Sequence, residues 1–550
     1  MEGSGMRSAL LAAACGGTLL IASGIPCAAS EIIVTNPNDS GDGSLRWAVE
    51  LANQLTGPDE ITFDPGVFFP GMVIELNSGQ LSLADTTGTT RIDGSGASVT
   101  VYGTNLSRVL TVKAGVSAEL WALTITGGHA VYNGSDYMTG NGGGIFNSGD
   151  LTVSGCVFTN NTAAHDGGGI YNANGARLTV TGGTTFTRNF ADFGGGIASK
   201  EGELTVTGGS NISYNSSSGY AGGIGNAAGI LTVTSSTLSH NSALKYGGGI
   251  YNSGDMTISD SVLSYNSAED RGGGIHTVYG EVVIGESTFS GNSATSFGGG
   301  IYNSDGNLTI SGSTLAYNSA STGGGIASYH NTSSTTSILY NTLVAQNFLR
   351  ATDPPNPSDL EGTFGVTSSY TLIGDGSGGL DASHGNLLGT PASPLDPRLG
   401  PLQNNGGPTS THALLDGSPA INAGDPDIFT DPNQYDQRGP GFSRVVGGRI
   451  DIGAVEVQVL TSHHLLSIAD IVRDLVRANA VRSGVGKSLL AKLNAARSQF
   501  ERGNTTPVVK ILNAFIKQVT ALRKAGILSK ADALRLVDAA HLAIDSVEGD

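Results

Sequence analysis

With 550 residues, 38% of them hydrophobic, this chain has ample material for a packed core, which excludes a wholly disordered protein. Its 83 glycines and 13% charged residues, against roughly 7% and ~25% in ordinary soluble proteins, exclude long helices wherever the glycines cluster. A formal net charge of −18 excludes nucleic acid and anionic membrane as partners, because phosphates must be neutralised by Lys and Arg.

The charge is uneven. Residues 461–550 carry 13 Lys/Arg against 8 Asp/Glu, a net +5, leaving 15 against 38, a net −23, in the first 460. Two chemically different regions are expected. Residues 1–29 read as an export signal: Arg7 supplies a positive start, Ala9 to Ala22 a largely apolar stretch, and Cys27-Ala28-Ala29 small residues for cleavage before Ser30. That stretch is too short to span a membrane, so no transmembrane segment is expected once the signal is removed. Of the three cysteines only Cys156 would remain, which permits neither an internal disulfide nor a cysteine metal cluster.

Residues 30–130 read as an N-terminal cap with the first irregular coils. Ser44 is placed to cap a short helix whose Leu45, Ala48, Val49 and Ala52 form one apolar face. Ile61-Thr62-Phe63, Val73-Ile74-Glu75-Leu76, Val99-Thr100-Val101 and Leu123-Thr124-Ile125 alternate as short strands between Gly and Asp turns. The run Ile33-Val34-Thr35-Asn36, then Asp39 to Val49, resembles the CSLREA-type opening of secreted bacterial β-helix proteins. Gly43-Ser44 stands for the usual Cys-Ser, and Trp47 for an acidic residue.

Residues 131–350 repeat. Gly-Gly-Gly-Ile or Ala-Gly-Gly-Ile places Ile145, Ile170, Ile197, Ile224, Ile250, Ile275, Ile301 and Ile326 at spacings of 25 to 27. In step runs an apolar residue three before an asparagine, giving Asn161, Asn189, Asn215, Asn241, Asn266, Asn292, Asn318 and Asn347. Between them lie alternating segments such as Leu151-Thr152-Val153 and Leu308-Thr309-Ile310, each a strand with one buried face. Each unit is thus expected to hold three short strands that bury their apolar faces only by stacking, one coil ~4.8 Å above the last. The fold class is mainly β: a right-handed, single-stranded parallel β-helix, or solenoid. In it the asparagines take the left-handed bend between strands and hydrogen-bond to their equivalents above and below. The paired Gly-Gly-Gly-Ile and Phe-x-x-Asn motifs resemble the repeats of polymorphic outer-membrane proteins and related adhesins, which implies a surface-exposed β-helix.

Residues 351–458 read as terminal coils. Leu399 to Thr409, His412-Ala413-Leu414, Ser418 to Asp425, Asp436-Gln437-Arg438-Gly439 and Asp451 to Glu456 occur in an order similar to the choice-of-anchor Q segment of exported bacterial proteins. That resemblance implies a terminal part of the β-helix and surface association. From residue 462 to 550 the period becomes helical, as in Leu489-Leu490-Leu493-Phe500 and Val508-Leu512-Phe515-Ile516-Val519-Leu522, and a separate four-helix module is expected. With Gly503-Asn504-Thr505 and Phe515-Ile516 it resembles the FIMAH domain of secreted hydrolases and adhesins, which implies an accessory interaction module.

Catalysis on such a scaffold needs two or three converging acids, or Arg and Lys beside a carboxylate-held calcium. Charges in the regular coils are sparse; Asp166, Asp192 and Asp270 alone recur just before the glycine triplet, where a solvated turn is the simpler reading. Among the histidines His165, His240, His276, His330, His384, His412 and His463-His464 show no metal spacing. Asp425, Asp427, Asp431 and Asp436 form an acidic loop suited to calcium, with a plain turn around prolines as the alternative; no other cofactor is expected. No catalytic residue is assigned. The expected function is a non-catalytic, secreted or cell-surface protein that is adhesin-like and contacts glycans or matrix; the alternative is a polysaccharide lyase or hydrolase on the same scaffold.

Overall fold

The computed structural model describes residues 29–330, 335–350, 356–415, 417–428, 433–446, 449–458, 462–477 and 480–548. Apart from Ala29, the expected export signal lies outside the described residues.

The repeat folds as successive turns of a parallel β-helix, with four strands per regular turn rather than three. In one coil these are Ile145–Asn147 (sheet 1), Asp150–Ser154 (sheet 2), Val157–Thr159 (sheet 3) and Thr162–Ala163 (sheet 4). Stacked through the molecule they give parallel sheets of 11, 12, 13 and 9 strands. The fourth strand escapes a periodicity reading because two residues offer a single inward side chain, such as Ala163 or Ala268.

Register is strict. Ile145 pairs with Ile170, Ile170 with Ile197, and so on to Ile326, and every member of this column is buried. Each buried isoleucine contributes about 1.5–3 kcal/mol by leaving water.

The asparagine column stacks as expected from Asn161 to Asn347. Asn189 Nδ2 donates to Asn215 Oδ1 at 2.9 Å and Asn215 Nδ2 to Asn241 Oδ1 at 3.0 Å. The bend conformation belongs elsewhere, however. The left-handed residue is the one before each asparagine: Asn160, Arg188, Tyr214, His240, Tyr265, Gly291, Tyr317 and Gln346 have φ between 54° and 69°. The asparagine itself is freed to turn inward and satisfy the column. A second inward polar column, Asn147, Asn172 and Ser199, then Asn226, Asn252 and Thr277, runs along sheet 1, with Asn226 Nδ2 donating to Asn252 Oδ1 at 2.7 Å.

Helix α1 (Leu45–Ala52) covers the open N-terminal end. Ser44 Oγ accepts from Trp47 N–H, and Leu45, Ala48, Val49 and Ala52 are buried against the first coils, matching the expected apolar face.

The block expected to supply terminal coils does so only in part. Leu360–Gly362, Leu372–Ile373 and Leu387–Leu388 continue the spiral. The described residues between 399 and 456 instead run back outside it as a strap opened by an antiparallel hairpin, Leu399–Gln403 with Thr411–Leu414. The strap lies on sheet 3, whose outward side chains are half-exposed at Val157 and Thr159, and again at Thr237 and Ser239, but buried at Thr288 and Ser290 and at Leu343 and Ala345. Gln437 staples it down, accepting from Thr288 Oγ1 and donating to Ser261 O. The reason is chemical: Leu343, Ala345 and Leu372 are apolar outside the spiral and pack with Ala420 and Ile452.

Helices α2 (Ser462–Arg477), α3 (Ser483–Phe500), α4 (Thr505–Lys524) and α5 (Lys530–Glu548) form the C-terminal module with its own core, including Leu489, Leu512, Phe515 and Leu536. Ser529 Oγ caps α5 by accepting from Asp532 N–H. No helix among the described residues is long and apolar enough to cross a membrane.

Candidate functional site

Two outward columns of the spiral lie side by side and carry aromatic rings. The residue before each glycine triplet pairs coil to coil as Phe193, Tyr220, Tyr246, Arg271 and Phe297. The second residue of each sheet 1 strand gives Tyr251, His276 and Tyr302 in register. In the second column strand pleating forces the side chains outward, since the isoleucine before each faces the core.

The rings merge into one wall. From Phe193 through Tyr220, Tyr246, Tyr251, His276, Phe297 and Tyr302 to Tyr329, each ring centroid lies 4.7–6.1 Å from a neighbour, over a length of about 24 Å at ~4.8 Å per coil. Gly225 makes room for it: a Cβ there would sit 2.4 Å from the Phe193 ring.

Arg271 stands in the middle of the wall. Its guanidinium lies 5.3–5.6 Å from the centroids of Tyr246, Phe297 and Tyr302, and Lys245 lies over Tyr220 at 5.3 Å. Arg271 retains 37% exposure and pairs with Asp270 at 3.6 Å, so it is available to an approaching ligand. Beneath it His276 is buried; burial, helped by the Arg271 charge, drives its pKa down to about 3 and keeps the ring neutral.

A second aromatic column is more exposed. Tyr214, His240 and Tyr265, at three consecutive left-handed bends, stack at 4.7 and 5.1 Å, with the tyrosines 57% and 51% exposed. Sequence reasoning overlooked both columns, because rings alternate with Arg, Gly and Ala at each phase and no single residue type recurs.

The three acids singled out before the glycine triplets do not converge. Asp166 is buried and accepts from Tyr137 Oη, Asp192 is exposed and accepts from Ser218 Oγ, and Asp270 lies four coils from Asp166, about 19 Å along the spiral.

Carboxylates do gather under the strap. Arg444 is buried between Glu286, 3.0 Å away, and Glu456, 3.5 Å away. Asp436 grips Arg438 through both oxygens and accepts from Glu456 N–H, while Asp451 accepts from Asn422 and Val457 N–H. Burial pushes Glu286 up to about 8 against the pull of Arg444, and burial together with the Asp451 charge raises Glu456. The oxygens of Asp436, Asp451 and Glu456 hold the strap together, whereas Glu286 Oε2 is buried without a hydrogen-bond partner.

Asp436 is thereby committed to Arg438, Asp427 N–H donates to Asp425 Oδ1, and Asp431 lies outside the described residues. Among the described residues no group of three or more His, Cys, Asp or Glu is placed to hold a metal ion. Cys156 is a free, buried thiol.

Residues 465–545 match the FIMAH domain, and residues 155–173 and 286–304 match the Chlamydia polymorphic membrane protein repeat. No curated protein matches the chain. Among solved structures it is similar to a pectate lyase, Pel9A, at 15% identity and a TM-score of 0.34, over 78% of this chain and 96% of that one. The chain is thus a parallel β-helix with segments that match the polymorphic membrane protein repeat, followed by a helical module that matches the FIMAH domain.

Proposed function

We propose that this is an exported, non-catalytic surface protein that contacts glycans through the aromatic wall of its β-helix. The observation that carries the reading is the run of rings from Phe193 to Tyr329 with Arg271 at its centre. Aromatic faces stack on the C–H faces of sugars, and a half-exposed guanidinium supplies hydrogen bonds to hydroxyl or carboxylate groups. Equivalent shallow positions repeated along a rod favour weak, multivalent contact with long chains or matrix. The polymorphic-membrane-protein repeats support a surface location, and the positively charged, then apolar start of the sequence supports export.

The test is incubation of the full chain with a panel of acidic and neutral polysaccharides, scoring both retention and newly formed reducing or unsaturated ends. Retention without new ends is expected. Product formation would overturn the reading and turn attention to the carboxylates around Arg444.

A further inference from the structure

Along sheet 2 the inward column at the start of each strand is apolar through the regular coils, from Ala118 through Leu151, Leu178 and Leu204 to Leu308, all buried. In the first coils the same column, in unbroken register, reads Ser30, Asp59, Thr90. A carboxylate therefore occupies a core position that later coils give to leucine. Asp59 is 2% exposed and Thr90 1%, and neither oxygen of Asp59 nor the hydroxyl of Thr90 has a hydrogen-bond partner.

A third side chain joins them. Asp85, on the bend leading into Thr89–Asp93, is 4% exposed; its Oδ1 accepts from Thr87 N–H and Oγ1, while its Oδ2 has no partner. Gly57 N–H donates to Thr87 Oγ1 at 2.9 Å, and Thr87 Oγ1 donates in turn to Asp85 Oδ1 at 2.7 Å, which draws the Asp85 segment onto the turn that leads into Asp59. The segments are pressed together: a Cβ on Gly88 would lie 2.1 Å from the backbone of Gly57. Four unpartnered oxygens from three buried side chains are costly in a protein interior unless a cation compensates them.

We propose that Asp59, Asp85 and Thr90 hold a calcium ion inside the N-terminal end of the β-helix. The donors are all oxygen, with no imidazole or thiolate, which selects a hard cation. Two carboxylates balance its double charge. Calcium accepts irregular geometry and completes its shell with backbone oxygens or water, whereas magnesium demands a near-ideal octahedron. The ion ties the first coils together just where helix α1 closes the spiral. This inference does not depend on the glycan-contact reading.

The test uses the full chain stripped with EDTA and titrated with CaCl2, followed by calorimetry and by thermal unfolding of the β signal. A single ion per chain and a raised unfolding midpoint are expected, with a smaller effect of MgCl2. Asp59→Asn and Asp85→Asn are expected to weaken binding at least tenfold. Asp59→Leu, which restores the side chain of the later coils, is expected to fold, to raise the midpoint in EDTA and to abolish the calcium response. Absence of calcium binding by the unaltered chain, an equal response to MgCl2, or an intact calcium response in Asp59→Leu would overturn the proposal.

Discussion

Each ladder asparagine does several jobs with one amide. Asn215 Oδ1 accepts from both the N–H and Nδ2 of Asn189, while its Nδ2 donates to Phe186 O and to Asn241 Oδ1. Removing it leaves buried groups unpaired on two neighbouring coils, each costing about 1–3 kcal/mol. Asn215→Ala is therefore expected to lower the unfolding free energy by about 3 kcal/mol or more in denaturant titration, and an unchanged midpoint would contradict the ladder. The left-handed tyrosines behave differently. At Tyr265, with φ 54°, a glycine relieves strain of order 1 kcal/mol while losing a stacking contact of similar size. Tyr265→Gly should thus shift stability by less than about 1 kcal/mol in the same titration, as expected of a side chain kept for its exposed surface. The asparagine column is legible in the sequence because one residue type recurs in phase with Ile. The residues at the bend are not, because Arg, Tyr, His, Gly and Gln share no composition that marks the position.

Among the elements, the strap and the end of the ladder both bury carboxylates, and pH should act through them. The last ladder residue, Asn347, donates its Nδ2 to Asp359 Oδ1 at 2.9 Å. Burial first, and then the Asp375 charge, push Asp359 up to about 7. With Glu286 raised to about 8, the folded chain keeps protons that the unfolded chain releases near pH 4, so these groups cost stability as pH rises through about 7 and 8. His276 has the opposite sign: held neutral down to about 3, it costs stability as pH falls below about 6.5, where the unfolded chain takes up the proton. Between pH 6.5 and about 8 the carboxylates dominate, so the thermal midpoint of the β signal is expected to fall across that interval and to level off above it. Asp375→Asn should flatten the fall; a midpoint that rises with pH would contradict it. None of this was legible beforehand. The acids belong to segments separated by up to 170 residues, Glu286 and Glu456, and only docking of the strap brings them together. The strap itself could be noticed as an ordered set of motifs, but its direction back along sheet 3 depends on outward apolar residues such as Leu343, which look identical to inward ones in a short strand.

At the scale of the whole molecule, the change of hydrophobic period near residue 462 anticipates two separate cores, and the spiral and the helical module have them. The coil repeat was readable because isoleucine and asparagine must stay in phase to stack. The aromatic wall was not, because two columns become neighbours only once the glycine triplet turns the chain between them. That wall is the centre of the account, and it is tested most directly by immobilising a retained polysaccharide and comparing the full chain with Arg271→Ala and Tyr246→Ala. The account predicts roughly tenfold weaker retention of each variant, equivalent to loss of a stacking or cation–π contact of ~1.4 kcal/mol, with unchanged circular dichroism. Undiminished retention by both folded variants would contradict it.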